Sequence, residues 1–394
     1  MSKDELLIDF GLQPVSNRFR YSNDEKIQKF PLSLSVSKES GLIRIIKPFP
    51  TSEIKPRFDW ITCFEPEDHL DNLVSKIIKL PGISKKSVFG GFSFKDDTTL
   101  NRLVKLGFNK TWRINPQSDL DLNDECFSIE TLQDVFKTDA AKNIKNKYGC
   151  ADVFIARHVI EHAYDINEFI NAAKELIKPD GYIVWEIPDC ERTLSALDFT
   201  TIWEEHIYYF TRITFKYLLE SSGFKLLSYI TIPYPLENSI IAITTINKKP
   251  TKLKIVKEEI LTELYRAKNF AKSLNNKKEI IREKLEYFVN TNRPIVLFGA
   301  GHHSVAFLSI MNISDLVHFV IDDNEKKKGM WLPIENMQIK SSDSLYTEKI
   351  GVCLLSLNPQ NQHKVITNNK RFIDKGGIFS SIFPGSESYL EEIN

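Results

Sequence analysis

"VIEHAYDINEF" (Val159–Phe169), followed by "KPDGYIVWEIPD" (Lys178–Asp189), decides how this chain is read. The first segment closes the apolar run "DVFIARHVI", which is rich in β-branched residues and predicts a buried strand. A His-bearing turn follows, then "INEFINAAKELI", whose apolar residues recur at helical spacing. Pro-Asp-Gly turns the chain, and "YIVWEIPD" predicts the next strand. The same alternation holds upstream. "HLDNLVSKIIKL" and "TTLNRLVKLGF" have helical spacing, and "KSVFGGF" and "KTWRINP" predict short strands. Strands alternating with helices give an α/β fold, a parallel sheet with helices on both faces. Downstream, "KLLSYITI" and "SIIAITTI" alternate as an antiparallel end of that sheet.

A second α/β unit opens with "RPIVLFGAGHHSVAFLSI" (Arg293–Ile310): a strand, a Gly-x-Gly turn at Gly299 and Gly301, and a helix. "HFVIDDNEKKKG" then supplies a strand ending in Asp322 and Asp323, a Rossmann-like arrangement. Ser304 stands where the third glycine of a dinucleotide fingerprint belongs, and Gly-x-Gly alone is a weak signal, which favours a structural or substrate-side role. Between the two units, from about Thr251 to Val289, the chain reads as charged amphipathic helix. Ile255, Ile260, Leu264, Ile281, Leu285 and Phe288 fall on one face. The domain expectation is a small irregular N-terminal module (1–75), a central domain (76–250), a helical connector (251–290) and a Rossmann-like C-terminal domain (291–394).

Composition narrows the function classes. Lys+Arg equals Asp+Glu at 52 each, so no basic field argues for nucleic acid or an anionic membrane. No stretch approaches the length of a spanning helix, and the charged start "MSKDELLIDFG" is unlike a signal peptide. The five cysteines, Cys63, Cys126, Cys150, Cys190 and Cys353, form no CxxC, so neither a disulfide framework nor a thiolate metal cage is expected. A soluble cytoplasmic protein is the expectation.

Three separated stretches, in order, carry a family resemblance. "FGLQPVSNRF" (Phe10–Phe19) resembles a segment of the sugar C-methyltransferases, and "ARHVIEHAYDINEFI…KPDG…WEIPD…WEEHIYYFT" resembles their central domain. "LFGAGHHSVAFL…VIDDNEKKKGMWLPIENMQI" resembles their C-terminal domain. The resemblance implies a central class I methyltransferase domain and S-adenosylmethionine as methyl donor. It also implies a nucleotide-linked keto-deoxysugar as acceptor, serving surface polysaccharide biosynthesis. The family's N-terminal zinc cysteines are replaced: "SKESGLI" puts Ser37 and Ser40 in their place, and hydroxyls are poor zinc ligands. No metal is expected.

The resemblance also assigns a site. Carbon methylation beside a ketone needs a base to remove an α-proton, and His suits that task because it titrates near neutral pH. The family's Tyr-His-Glu-His element falls on Trp203, Glu204, Glu205 and His206, which makes His206 the expected base with Glu205 beside it. His162 matches the family's other active-site histidine, whereas His158 reads as structural. Trp203, Glu204, Trp60, Asn238 and Ser239 are expected to line the sugar pocket. The donor is expected at Gly90 and Gly91, at Asn115 in place of the ribose-binding acid, and at Asp96, which offsets the charge of Lys95 beside a sulfonium. Two alternatives follow from these departures: methylation of a different carbon or an oxygen of a sugar, or nucleotide-sugar binding without catalysis.

Overall fold

The structure is a computed structural model describing residues 4–61, 65–123, 126, 129–247 and 256–392. Cys63 and Ile255 lie outside the described residues. The N-terminal segment is more regular than its proline-rich turns suggest. Strands β1 (Asp4–Pro14), β2 (Lys29–Ser37) and β3 (Ile43–Ile45) form an antiparallel sheet whose fourth strand, Tyr208–Tyr209, comes from the middle of the chain. Leu32, Leu34, Val36, Ile43 and Ile45 are buried beneath it. Ser37 and Ser40 accept backbone N–H groups within their own turn, from Glu39 and Leu42.

The central sheet contains β4 (Phe89–Gly91), β5 (Thr111–Arg113), β6 (Ala151–Arg157), β7 (Ile177–Asp189), β9 (Phe224–Ile232) and β10 (Asn238–Ile246); the Tyr208–Tyr209 strand is β8. Its order is β5-β4-β6-β7-β10-β9. The first four strands run parallel, and β10 runs antiparallel to both neighbours, as the alternating runs at its end predict. The chain steps outward from β4 to β5 and then returns to β6. The strand order therefore reverses between β4 and β6, and α/β proteins bind ligands in the crevice at the carboxyl ends of such strands.

Gly90 and Gly91 lie within β4, not in the turn beyond it. A Cβ at Gly90 would come within 2.6 Å of the Trp112 ring, which is stacked on Tyr148 at 5.2 Å. A glycine inside a strand often marks such a close approach. Gly90→Ala is expected to destabilise the protein by ~1–3 kcal/mol through overpacking, read as a lower denaturant midpoint.

The C-terminal sheet is parallel, with order β13-β12-β11-β14-β15, from β11 (Ile295–Phe298), β12 (Val317–Ile321), β13 (Ile339–Lys340), β14 (Val352–Leu355) and β15 (Ile378–Ser381). One helix, Lys257–Asn290, precedes it and buries Ile260, Ala267, Phe270, Leu274, Ile281, Leu285 and Phe288 along one side. The "QPVSNRF" segment ties the units together. The Ser16 N–H and hydroxyl reach Glu204, and Asn17 Nδ2 reaches Glu205 at 2.9 Å. Arg20 exchanges backbone hydrogen bonds with Trp331, and its guanidinium donates to the Leu332 and Ile334 carbonyls.

Candidate active site

A cavity of about 270 Å³ opens where the carboxyl edge of the central sheet faces the first helix of the C-terminal sheet. The central domain contributes His158, Trp203, His206, Asn238 and Ser239, and the C-terminal unit contributes His302 and His303. Asn238 and Ser239 open β10 opposite Asp189 and Pro188 of β7, which fixes them at the rim. Tyr209 holds the Trp203 turn through its hydroxyl, 3.0 Å from both the Trp203 N–H and carbonyl. The Trp203 indole stacks on the His302 ring at 4.5 Å and 17°, and its Nε1–H is buried without a hydrogen-bond partner. That orphan donor is free for a ligand oxygen.

His206 is half-buried, its ring 4.8 Å from those of Trp203 and His162. Burial pushes its pKa down to about 3, with the opposing charge of Glu65 too weak to restore it. The imidazole is therefore neutral, with a lone pair available. His162 lies behind it, fully buried, with Nδ1 2.8 Å from the Glu205 carbonyl. Because only an N–H can make that contact, Nε2 carries the lone pair. Burial, reinforced by His206, holds its pKa well below the usual range. His303 is fixed similarly, Nδ1 to the Thr200 carbonyl at 3.0 Å, and burial lowers it to about 4.

Several expected site residues are occupied elsewhere. The carboxylates of Glu204 and Glu205 hold Ser16 and Asn17, so neither is aimed at the cavity. Trp60 stacks on Phe58 at 5.0 Å and packs against Phe19 in an aromatic cluster apart from the cavity's lining residues. Asp96 is fully buried, and its carboxylate accepts the N–H groups of Phe92, Ser93 and Arg157. It shapes the turn after β4 and does not offset Lys95, which pairs with Glu65 at 2.6 Å. Burial raises Asp96 to about 7 against the pull of those hydrogen bonds. Asn115 stands exposed at the end of β5, its Oδ1 capping the next helix through Ser118 N–H.

Beneath the cavity lies a charged cluster that no sequence motif announces. Arg157, at the end of β6, is fully buried with Nε 2.6 Å from Glu186 Oε2 and Nη1 2.6 Å from the Lys95 carbonyl. Glu186 Oε1 lies 3.1 Å from His69 Nε2 and 3.3 Å from His158 Nε2. The Tyr234 hydroxyl braces His69 Nδ1 at 2.6 Å. Burial alone would raise Glu186, but Arg157 and the two histidines hold it well below the usual carboxylate range. At the mouth, burial and the nearby Glu65 raise Glu237 to about 8, so near neutrality it is an acid with a proton to donate.

Donor atoms of Glu161, His162 and His206 lie within 4.8 Å of one another. Around a zinc ion with bonds of ~2.0–2.2 Å, ligand atoms sit closer together than that. As placed, the three do not form a ready coordination site. The Glu161 side chain is nevertheless unusual: both oxygens are buried without a hydrogen-bond partner, and His158 Nδ1 is 3.7 Å from one of them. A buried carboxylate in that state favours a cation beside it.

With the geometry in place, two comparisons bear on the chain. Residues 100–229 match the family described as "Methyltransferase domain", and residues 247–384 match "C-methyltransferase C-terminal domain". A relative, the C-methyltransferase NovU of Streptomyces niveus, is 22% identical over 387 residues, covering 95% of this chain and 91% of its own. The chain is a methyltransferase, similar along most of its length to a C-methyltransferase. A ubiquinone biosynthesis O-methyltransferase from Bartonella tribocorum is 29% identical over 91 residues, 23% of this chain and 36% of that protein. Among solved structures, a SAM-dependent methyltransferase from Aquifex aeolicus aligns at 14% identity and TM-score 0.29, covering 45% of this chain and 93% of its own. That last likeness is too loose to carry an argument, and the class I assignment rests on the sheet order and the matched families.

Proposed function

We propose that this enzyme methylates a ring carbon of a nucleotide-linked keto-deoxysugar, with S-adenosylmethionine as donor, in the cytoplasm and for a surface polysaccharide. The observation that carries it is the cavity in which neutral His206 and the free Trp203 indole N–H meet Asn238, Ser239 and His302. Its volume of about 270 Å³ falls just below the usual range of ligand pockets, ~300–1,000 Å³, and suits a single ring. His206 removes the proton beside the carbonyl, and Trp203 and the amide of Asn238 orient the sugar oxygens. The His302 ring of the C-terminal unit forms one wall of the pocket.

When bound, S-adenosylmethionine supplies a methyl group activated on a sulfonium. The residues of this chain suited to hold it are the turn after β4, Glu161, and Asn115 at the end of β5 through its amide nitrogen, since its Oδ1 caps the next helix. Glu161 is the decisive fit, because its carboxylate makes no hydrogen bond and only a long 3.7 Å contact with His158, which leaves it suited to the donor's positive charge. Calorimetric titration tests this directly. S-adenosylmethionine should bind, and Glu161→Gln should weaken it by roughly tenfold (about 1.4 kcal/mol) while leaving the uncharged thioether product, S-adenosylhomocysteine, unchanged. Equal losses for both ligands would remove Glu161 from this role, and no binding of either to the wild type would end the methyltransferase proposal. Methylation of an oxygen would use the same base, and the position of the new methyl group separates the two.

A further inference from the structure

We infer that His158 is the acid of this site: it holds the acceptor's carbonyl oxygen while His206 removes the neighbouring proton. This role rests on the enolate chemistry proposed above. His158 lines the same cavity as His206 and comes from the turn at the switch point of the sheet. Its backbone sits at φ +50, a region that L residues rarely adopt and that concentrates at functional sites. The Glu186 carbonyl fixes it there, accepting the His158 N–H at 2.7 Å.

The ring is held among carboxylates by charge contacts, and its Nε2 has no hydrogen-bond partner. Nε2 points to Glu186 at 3.3 Å, and Glu186 is in turn held by Arg157 and by His69. Nδ1 faces Glu161 at 3.7 Å and Glu65 at 3.9 Å, both beyond hydrogen-bond reach. At those distances the two carboxylates attract the Nδ1–H without saturating it, and a ligand oxygen in the cavity can compete for it. Glu65, Glu161 and Glu186 surround the ring, with Glu237 and His206 across the cavity. Burial works against a charged imidazole, yet the carboxylates, Glu65 foremost, raise His158 to about 10. The two histidines of one cavity are thus held in opposite protonation states, an arrangement that assigns one as acid and the other as base.

The step balances without another reactant. His206 takes the α-proton, the C–H electrons become the enol double bond, and the carbonyl π pair moves onto oxygen. His158 meets that developing charge with its Nδ1–H, by hydrogen bond or full transfer. Attack of the enol carbon on the donor methyl then breaks the C–S bond, leaves the pair on sulfur and restores the carbonyl, returning the His158 proton.

The test is exchange of the α-hydrogen in deuterated water, followed by NMR. The probes are thymidine, guanosine and cytidine diphosphate esters of 4-keto-6-deoxyhexoses, with S-adenosylhomocysteine present. The variant is His158→Asn, since Asn tolerates the same backbone region. Measured well below the variant's melting temperature, which the loss of a buried cation lowers, exchange and methylation should each fall ~10²–10⁴-fold, the range for one acid or base, with S-adenosylhomocysteine affinity kept. In the wild type, the rate should decline as pH rises through about 10, where His158 loses its proton, and the variant should lack that decline. Wild-type exchange with a variant within threefold of it would overturn the role of His158 alone. No wild-type exchange with any probe would overturn both this role and the reading it rests on.

Discussion

His206→Asn is expected to lower turnover by ~10²–10⁴-fold, the usual contribution of one general base, while the protein melts at its wild-type temperature. The two halves of that expectation have separate causes. His206 is half-buried at the cavity wall, and its backbone N–H bonds the Trp203 carbonyl at 3.1 Å whatever side chain it carries. Asn is smaller than the imidazole and leaves the Trp203–His302 stack in place. What disappears is a lone pair that burial keeps unprotonated, with the pKa at about 3. A pKa so low predicts no loss of rate as pH falls from 9 to 5, because the base stays free throughout. Turnover against pH in the wild type checks this, and a fall centred near the ordinary histidine value would contradict it.

Arg157→Met should be the most destabilising single change described here, by ~3–5 kcal/mol, because it strands a buried carboxylate. Arg157 and Glu186 are both almost wholly shielded from water, with a 2.6 Å contact between them. Glu186 would remain in a central strand facing only His69 and His158. The linkage follows from its lowered pKa. A carboxylate depressed in the folded state contributes stability that is present above its unfolded value and is lost as pH falls towards the folded one. The wild type should therefore lose stability in acid below about pH 4.5, and Arg157→Met should lose less over that interval. Urea midpoints across pH measure both effects. A midpoint shift worth under ~1 kcal/mol would show that the pair contributes little.

The scaffold was legible in the sequence because apolar periodicity reports which side of each element is buried. "DVFIARHVI", "YIVWEIPD" and the Gly-x-Gly turn became β6, β7 and the loop after β11. Which residues line the cavity was legible only where a side chain faces it by virtue of its local turn, as with Trp203, His206, Asn238 and Ser239. Glu204 and Glu205 looked like site acids, but their partners Ser16 and Asn17 lie 188 residues away in sequence, and nothing local shows that pairing. Gly90 and Gly91 looked like a donor loop because a glycine pair fits a tight turn as well as it fits a crowded strand. One missed signal was available. Glu186 is a charge inside an otherwise apolar run, and a buried charge demands partners. Following it leads to Arg157, His69 and His158, the last of which reads as merely structural in isolation. His302 and His303 needed the fold, since only the approach of two units places them opposite Trp203.

The most direct measurement is mass spectrometry and NMR of the products formed from S-adenosylmethionine and the 4-keto nucleotide sugars, with His206→Asn alongside. The expected product is one methyl group heavier, with the new methyl on a ring carbon next to the carbonyl, and the variant should form almost none. A methyl on oxygen, or no product from any keto sugar while the donor binds, would contradict it.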